Sequence, residues 1–148
     1  MLAQRVYADK GDLDHAIADY DQAIALKPDF ADVYYNRGNT YAVKGDLDHA
    51  VADYDQAIAL KPDYAEAYVN RGAAYDEKGD LARAIADFDQ AIALKPDFGP
   101  AYYNRGLAYV QAGEKDKAIA DFTKVLDLST GPQLRQKAEE ELQALRVR

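Results

Sequence analysis

The segment DQAIALKPD occupies residues 21–29 and returns unchanged at residues 55–63 and 89–97. The interval is 34 residues, and units cut at this interval share most of their sequence, since residues 31–64 and 65–98 agree at about 22 positions. A period of this length is typical of one supersecondary unit that cannot bury its own apolar face and stacks on its neighbours. The sequence therefore predicts an elongated solenoid, whose function is expected on a shared surface.

Each unit is predicted to contain two amphipathic helices. Small and aromatic residues recur at helical spacing in both halves of the unit at 31–64, namely at Tyr34, Gly38, Tyr41, Ala50, Tyr54 and Ala57. The glycine of the first half is expected to face the alanine of the second, because side chains this small let two helix backbones approach closely. The same residues recur one interval on, so every unit is expected to pack in the same way.

Glycine and proline are expected to mark the ends of these helices. A left-handed glycine is predicted to end each first helix, at Gly11, Gly45, Gly79 and Gly113. A proline follows each second helix, at Pro28, Pro62 and Pro96. Asp29 and Asp63 are predicted to cap the helices that follow them, with Asp32 or Glu66 in the first turn.

The period predicts a single domain made of five segments. They are a shortened first unit at residues 1–30, complete units at 31–64, 65–98 and 99–132, and a terminal helix at 133–148. The last segment leaves the period but keeps four apolar residues on one side, as a capping helix does: Leu134, Ala138, Leu142 and Leu145. The first unit starts in the middle of a helix, which leaves Leu2, Val6 and Tyr7 for a second copy of the chain to cover.

Composition and charge argue against several classes of partner. The 148 residues carry a formal net charge of −8, which opposes binding to nucleic acid and to anionic membranes. No cysteine is present, so the sequence excludes disulfides and thiolate metal sites. No apolar run approaches the roughly 18 residues of a membrane-spanning helix, and Met1 begins no basic and apolar leader. We therefore expect a soluble chain, with the cytoplasm favoured and the periplasm as the alternative.

Residues that catalyse reactions or bind metals are sparse. Ser129 is the one serine in the sequence, and no histidine lies near it to activate it. His15 and His49 lie one interval apart, but two histidines without a third ligand are more typical of a solvated surface than of a metal site. We therefore expect no enzyme activity, no metal and no cofactor.

Charged residues recur in two rows that match in register. Arginine stands in the first helix of three units, at Arg37, Arg71 and Arg105. Aspartate stands in the second helix of four units, at Asp19, Asp53, Asp87 and Asp121. The matched register predicts arginine–aspartate pairs within or between units. An arginine row that binds a ligand is the alternative.

The pattern resembles that of the tetratricopeptide repeat family at Tyr34, Gly38, Tyr41, Ala50, Tyr54, Ala57 and Pro62. Tyrosine replaces the tryptophan and phenylalanine that are usual there. Arg37 and its two equivalents replace the usual leucine, and Thr130 replaces the expected proline. The resemblance covers nearly the whole chain and implies an all-α fold, a right-handed superhelix of about 3.5 helix-turn-helix repeats with a C-terminal capping helix.

The resemblance also implies a concave groove lined by the first helix of each unit, where this family binds an extended peptide or a helix of another protein. The inner residues that it implies are Arg5, Asp9, Asp32, Tyr35, Asn36, Asn39, Val43, Glu66, Val69, Asn70, Ala73, Asp76, Glu77, Tyr103, Asn104, Leu107 and Gln111. Asparagine amides suit contacts with a peptide backbone, and tyrosine rings offer rigid contact area. Because Asn36, Asn70 and Asn104 stand at equivalent positions, a purely structural asparagine ladder is the alternative.

Acidic residues outnumber basic ones in this implied groove, which favours a basic or neutral ligand. Members of the family that bind acidic C-terminal tails use a clamp of Lys, Asn, Asn, Lys and Arg. Here Asn39 and Asn70 match the two asparagines, but the cationic places are occupied by Tyr35, Pro100 and Asn104. We therefore predict a non-enzymatic protein-interaction scaffold for a basic or neutral peptide or helix. The alternative is a self-associating structural module, or an engineered repeat array.

Overall fold

The computed structural model describes residues 10–128 and 130–147, and this part of the chain consists of eight α-helices joined by short turns. They are α1 (Lys10–Leu26), α2 (Ala31–Lys44), α3 (Leu47–Leu60), α4 (Ala65–Glu77), α5 (Leu81–Leu94), α6 (Gly99–Gln111), α7 (Lys115–Asp127) and α8 (Pro132–Arg146). The predicted all-α solenoid of stacked helix-turn-helix units is confirmed. Leu2, Val6 and Tyr7, the residues of the predicted self-association surface, lie outside the described residues.

The helices stack in two layers along the solenoid. Each first helix packs against the second helix of its own unit, in the pairs α2 with α3, α4 with α5 and α6 with α7. Second helices also pack against the first helix of the next unit, and the first helices α2, α4, α6 and α8 touch one another in sequence. The first helices therefore form one continuous layer, the inner layer of the superhelix.

The core of each unit is a small residue beneath an aromatic ring. In the second helix α3, Ala50, Tyr54 and Ala57 are almost fully buried. A Cβ atom added to Gly38 of α2 would lie 2.9 Å from the Tyr54 ring and 3.3 Å from the Ala50 carbonyl oxygen. The predicted close crossing is therefore present, and the ring of the second helix is the nearest neighbour of the glycine. Phe88 and Phe122 cover Gly72 and Gly106 in the same way.

The turn inside each unit depends on a glycine followed by an acidic residue. Gly45 has φ of +87°, which favours glycine, and its amide donates to the Ala42 carbonyl at the end of α2. The next residue, Asp46, is the N-cap of α3, and its carboxylate accepts a hydrogen bond from the His49 amide at 3.3 Å. Gly79 and Asp80 repeat this arrangement between α4 and α5.

Two predictions about helix ends are wrong. Asp29 and Asp63 do not cap α2 and α4, since Phe30 and Tyr64 stand at the N-cap positions and no side-chain capping bond is made. The acidic caps lie at the second helices instead, where the preceding glycine turns the chain. Gly11 does not end a helix in the described structure but lies within α1, and the described glycines with positive φ are Gly45, Gly79 and Gly113.

The last helix closes the C-terminal end of the stack. Ala138, Leu142 and Leu145 of α8 are buried against Tyr102, Phe122 and Val125 of the preceding unit. The opposite side of α8 carries exposed charged residues, so the helix covers an apolar surface and presents a polar one. The predicted capping helix is confirmed. No helix among the described residues is long and apolar enough to cross a membrane.

Candidate functional site

Three arginines join successive units through paired aspartates. The Arg37 guanidinium donates from Nε and Nη2 to Asp53 at 2.8 and 2.7 Å, and from Nη1 to Asp21 at 2.7 Å. Asp53 belongs to the same unit as Arg37, whereas Asp21 belongs to the unit before it. The same three bonds recur in the sets Arg71, Asp87, Asp55 and Arg105, Asp121, Asp89. The predicted arginine–aspartate pairs are confirmed for these three units.

These arginines have a structural role, because all three nitrogen atoms of each guanidinium already donate hydrogen bonds to aspartates. The hydrogen bond to Asp53 is the main cause that raises the pKa of Arg37, against the opposing effect of partial burial. The guanidinium also lies 5.7 Å from the ring centroid of Tyr34 and 6.0 Å from that of Tyr41. These contacts favour a structural role over a ligand-binding row. Asp19 is exposed, and the sequence of its unit has Ala3 at the position of the arginine.

A hydrogen-bonded network on the inner layer joins α2 to α4. The Asn39 side-chain oxygen accepts from the Tyr54 hydroxyl at 2.7 Å and from the Asn70 amide at 2.8 Å. The Asn70 amide also donates to the Tyr35 hydroxyl at 3.0 Å. Tyr35 in turn packs its ring against that of Tyr64, with the centroids 4.8 Å apart. The two asparagines are therefore fixed in position before any ligand is present.

The network leaves one donor and one acceptor free. The side-chain nitrogen of Asn39 and the side-chain oxygen of Asn70 have no hydrogen bond within the described part of the chain. Neither atom is buried without a partner, so both are accessible to water or to a ligand. A peptide group offers one carbonyl oxygen and one amide hydrogen, which are the partners that these two atoms require.

An open pocket of about 270 Å³ lies beside these asparagines, between α2 and α4. Its walls include Ala42, Val43, Leu47, Tyr54, Ala73 and Glu77. The walls are mainly apolar, and the carboxylate of Glu77 is the one charged group among them. We call this space, with the walls just named, the α2–α4 pocket.

The predicted acidic groove residues differ in how they are engaged. Burial, and then the neighbouring carboxylate of Asp32, raises the pKa of Tyr64, so Asp32 lies close to the Tyr64 hydroxyl. Asp76 accepts a hydrogen bond from the Gln111 amide at 2.9 Å. Glu66 lies 3.9 Å from the ammonium group of Lys95.

Glu77 differs from these three carboxylates. It is exposed and forms no ion pair with the residues that the structure describes. Its charge also acts on the pocket, because burial first and then nearby charges, that of Glu77 included, raise the pKa of Tyr54. Glu77 is therefore the predicted groove acid that is best placed to meet a cation.

The structure corrects the prediction that all the inner residues are exposed. Val69 is only 4% exposed and packs with Ala84, Phe88 and Ala91 in the core. Its equivalents Tyr35 and Tyr103 also pack their rings against the core, on Tyr54 and Phe122, but both are half-buried. Burial is the first cause that raises the pKa of Tyr103, followed by the charges of Glu141 and Glu140 on α8.

The three equivalent asparagines have different environments. Asn36 is exposed and Asn104 is half-buried, and neither side chain makes a hydrogen bond within the described residues. Asn70 alone of the three belongs to the network with Tyr35 and Asn39. A uniform structural ladder is therefore not formed. Leu107 is half-buried against the C-terminal core, and Arg5 and Asp9 lie outside the described residues.

Sequence reasoning missed four residues that line the α2–α4 pocket, namely Ala42, Leu47, Tyr54 and Ala74. Ala42 lies on α2, Leu47 begins α3, and Tyr54 reaches the inner layer from below through its hydroxyl. Tyr54 was assigned to the core, and its burial agrees with that assignment. A comparison of equivalent positions would have provided a signal, because Phe88 and Phe122 lack the hydroxyl that Tyr54 brings to the network.

Histidine takes part in local packing. The ring of His49 stacks on Tyr41 at a centroid distance of 4.9 Å, and its Nδ1 lies 2.7 Å from the Asp46 carboxylate. Within residues 10–128 and 130–147, no group of three or more histidine, aspartate and glutamate side chains is arranged to hold a metal ion.

Repeated helix pairs with a continuous inner layer define a helical-repeat scaffold. The chain belongs to the tetratricopeptide repeat family. The family description "TPR repeat" matches residues 5–45 and 38–79, and "Tetratricopeptide repeat" matches residues 65–98 and 99–129. Proteins with this fold generally mediate protein–protein interaction and are generally non-enzymatic. No curated protein sequence matches the chain.

Solved structures of tetratricopeptide proteins superpose on most of the chain. The crystal structure of MamA is 27% identical in sequence and covers 98% of this chain and 92% of its own, with a TM-score of 0.77. The first TPR of Spaghetti (RPAP3), bound to the HSP90 peptide SRMEEVD, is 28% identical over 78% of this chain and 90% of its own, with a TM-score of 0.72. The Arabidopsis OM64 TPR domain is 29% identical over 77% of this chain and 94% of its own, with a TM-score of 0.70.

Proposed function

We propose that this chain is a non-enzymatic scaffold that binds an extended peptide or a helix of another protein, basic or neutral in charge, on its inner layer. The observation that carries the proposal is the fixed pair of asparagines at Asn39 and Asn70. Their free donor and free acceptor match one peptide group, and their positions are held by bonds to Tyr35 and Tyr54. A surface fixed in advance loses little conformational entropy on binding.

The charge of the inner layer supports a basic or neutral ligand. Asp32, Glu66, Asp76 and Glu77 all lie on the first helices, and α8 adds Glu140 and Glu141 near Tyr103. An acidic peptide would meet like charges along this surface, which costs binding free energy and slows association. A basic peptide would find complementary charge, most directly at Glu77.

The peptide in the RPAP3 structure provides a useful contrast. SRMEEVD contains three carboxylate side chains, and the clamp that this family uses for acidic tails has three cationic residues besides its two asparagines. In this chain Tyr35, Pro100 and Asn104 stand at those places. We therefore expect SRMEEVD to bind poorly, although the two clamp asparagines are matched.

A titration of labelled peptides tests the proposal. Twelve-residue peptides of random sequence are selected on the full chain by phage display, and the selected sequences are measured by fluorescence anisotropy beside SRMEEVD. We expect micromolar dissociation constants for the selected peptides and a net positive or zero charge among them. Equal or tighter binding of acidic peptides would contradict the charge assignment.

Two matched variants test the site itself. Asn70→Ala removes the free acceptor and the contacts that orient Asn39, and we expect it to weaken the selected peptides at least tenfold. Asn104→Ala changes the equivalent residue one unit on, which lies outside the network, and we expect it to change binding less than threefold. If the two variants behave alike, the asparagine pair is not the site.

A further inference from the structure

We propose that the α2–α4 pocket receives one apolar side chain of the bound peptide, and that Glu77 pairs with a lysine or arginine next to it. This inference rests on the proposed function, and it assigns the ligand class of one site within the inner layer. The ligand is therefore a segment in which an aliphatic or aromatic residue is adjacent to a basic one.

The size and chemistry of the pocket support this assignment. Its volume of about 270 Å³ lies below the roughly 300 to 1,000 Å³ typical of sites for whole small molecules, and a single side chain suits it better. Ala42, Val43, Leu47 and Ala73 provide an apolar wall, so an apolar side chain would lose water on entering it. Val43 is 55% exposed, which is unusual for a large apolar residue on this surface and leaves it available to a ligand.

The residues that line the pocket change at the next pair of units, although the scaffold repeats. One interval on, Leu107 stands at the position of Ala73, and Gln111 stands at the position of Glu77. Leu107 packs against the neighbouring core, and the Gln111 amide bonds across to Asp76 on α4 at 2.9 Å. The space between α2 and α4 therefore has a smaller side chain at Ala73 and a free carboxylate at Glu77, where the next pair of units has a leucine and a hydrogen-bonded glutamine.

Glu77 provides the charge preference of the pocket. It lines the pocket and has no ion pair within the described residues, in contrast to Glu66, which lies near Lys95. A cation beside the bound apolar side chain would reach Glu77 while the peptide backbone stays on Asn39 and Asn70. The pocket and the asparagine pair would thus fix both the position and the register of the peptide.

The repeat itself supplies the best variant for the test. Ala73→Leu places in α4 the residue that α6 already carries at the equivalent position, so the helix and its packing are expected to accept it. Twelve-residue random peptides are selected by phage display on the full chain and, in parallel, on the Ala73→Leu variant. Peptides from the first selection are then measured on both proteins by fluorescence anisotropy.

We expect the peptides selected on the unchanged chain to share an apolar residue beside lysine or arginine. Ala73→Leu is expected to weaken them at least tenfold, and replacing the apolar residue of the peptide by alanine is expected to weaken them equally. Glu77→Gln is expected to lower the affinity of the basic peptides several-fold. Added salt is expected to lower the affinity of this variant less than that of the unchanged chain. Ala86→Leu makes the same alanine-to-leucine change on the exposed side of α5, outside the inner layer, and is expected to leave the affinity of the peptides within threefold.

The outcomes separate this inference from the function on which it rests. If peptides are selected and bind Ala73→Leu as tightly as the unchanged chain, the pocket assignment is overturned and the peptide-binding function stands. If neither selection yields a binding peptide, the proposed function itself fails. Thermal unfolding by circular dichroism checks that Ala73→Leu is folded. Should it be unfolded, Val43→Ser at the exposed wall of the pocket replaces it, with the same expected loss.

Discussion

At the residue scale, the solenoid depends on glycines at the crossing of two helices, where no space is left for a further carbon atom. Gly72 lies under the Phe88 ring, and a Cβ atom at this position would stand 2.7 Å from the nearest ring carbon and 3.1 Å from the Ala84 carbonyl oxygen. Real Cβ contacts are longer than this, so a side chain would have to push α4 away from α5. The repeated glycine is therefore required by packing.

We predict that Gly72→Ala lowers the free energy of unfolding by about 1–3 kcal/mol and that Gly72→Leu lowers it further, because both overpack the crossing. Urea unfolding followed by circular dichroism measures the change. Ala86→Leu on the exposed side of α5 is the control and should stay within about 0.5 kcal/mol. Unchanged stability of Gly72→Leu would show that the two helices separate at no cost.

A second prediction at this scale concerns alkaline pH. Burial raises the pKa of Tyr54 above its ordinary value of 10.0, so the unfolded chain releases this proton first. The resulting stability is complete below about pH 10 and is lost as pH rises through the folded-state pKa. Tyr54→Phe removes this contribution, and the equivalents Phe88 and Phe122 show that the unit accepts a phenylalanine ring.

Urea unfolding of the parent and of Tyr54→Phe at pH 8 and pH 11 measures this contribution. We expect the variant to lose less stability between the two pH values than the parent does. The remaining loss in the variant is assigned in part to Tyr64, whose pKa burial also raises. An equal loss in both proteins would mean that Tyr54 ionises as easily in the folded chain as in the unfolded one.

At the scale of elements, each arginine ties three helices together. Arg71 of α4 bonds Asp87 of α5 in its own unit and Asp55 of α3 in the unit before. Asp55 is also the first residue of the repeated DQAIALKPD segment. The repetition of this aspartate therefore provides each arginine with a partner in the unit before it. The repeat therefore specifies the contact between units as well as the helices inside them.

We predict that Arg71→Leu destabilises the fold by about 3 kcal/mol, because it leaves the carboxylate of Asp87 buried without its cation. Adding Asp87→Leu should recover most of this loss, since a well-packed apolar pair often equals a buried ion pair. A double-mutant cycle from urea unfolding measures both effects. Additive losses in the double variant would mean that the two residues contribute separately.

The terminal helix α8 is expected to stabilise the end of the array that it covers. Leu142 lies in the core cluster with Phe122 and Val125, and helices at the opposite end have no contact with it. Leu142→Ala should lower the free energy of unfolding of the C-terminal helices by about 2–5 kcal/mol. Amide hydrogen exchange should therefore accelerate more in α6 to α8 than in α2 and α3. Equal acceleration in all helices would mean that the described chain unfolds as one unit.

At the scale of the whole molecule, the net charge of −8 acts on a charged partner at longer range than any direct contact. We predict that the association rate of a basic peptide falls as salt is raised from about 0.05 M to about 0.5 M, because the screening length shortens. Stopped-flow fluorescence measures the rate, with a neutral peptide of the same length as the control. If the two peptides respond equally to salt, the long-range charge does not steer binding.

Self-association is the rival property at this scale. The residues that motivated it, Leu2, Val6 and Tyr7, lie outside the described residues, so the proposal of an exposed N-terminal surface stands on sequence alone. Light scattering over a wide range of protein concentration distinguishes a self-associating chain from a monomeric scaffold. A mass that rises with concentration supports self-association by stacking or helix exchange. A constant monomer mass excludes self-association over that range.

The sequence by itself determined the architecture, because a 34-residue period with glycine, alanine and aromatic residues in register leaves one way to bury its apolar faces. It also determined the arginine–aspartate pairs, since matched rows of opposite charge on packed helices meet once the units stack. Both properties are periodic, and periodicity is visible in a sequence. The predicted caps of α2 and α4 are wrong by one residue, because the turns after Pro28 and Pro62 bring Phe30 and Tyr64 to the N-cap positions.

Only the tertiary structure decided which inner residues are accessible. Asn36, Asn70 and Asn104 are equivalent in sequence, yet Asn70 alone of the three joins a network, because it meets Tyr35 and Asn39 of the unit before it. The pocket exists for the same reason, since Ala73 leaves space that Leu107 would fill one unit later. A site that lies between units depends on residues that differ from unit to unit, and their contacts are set only when the units stack.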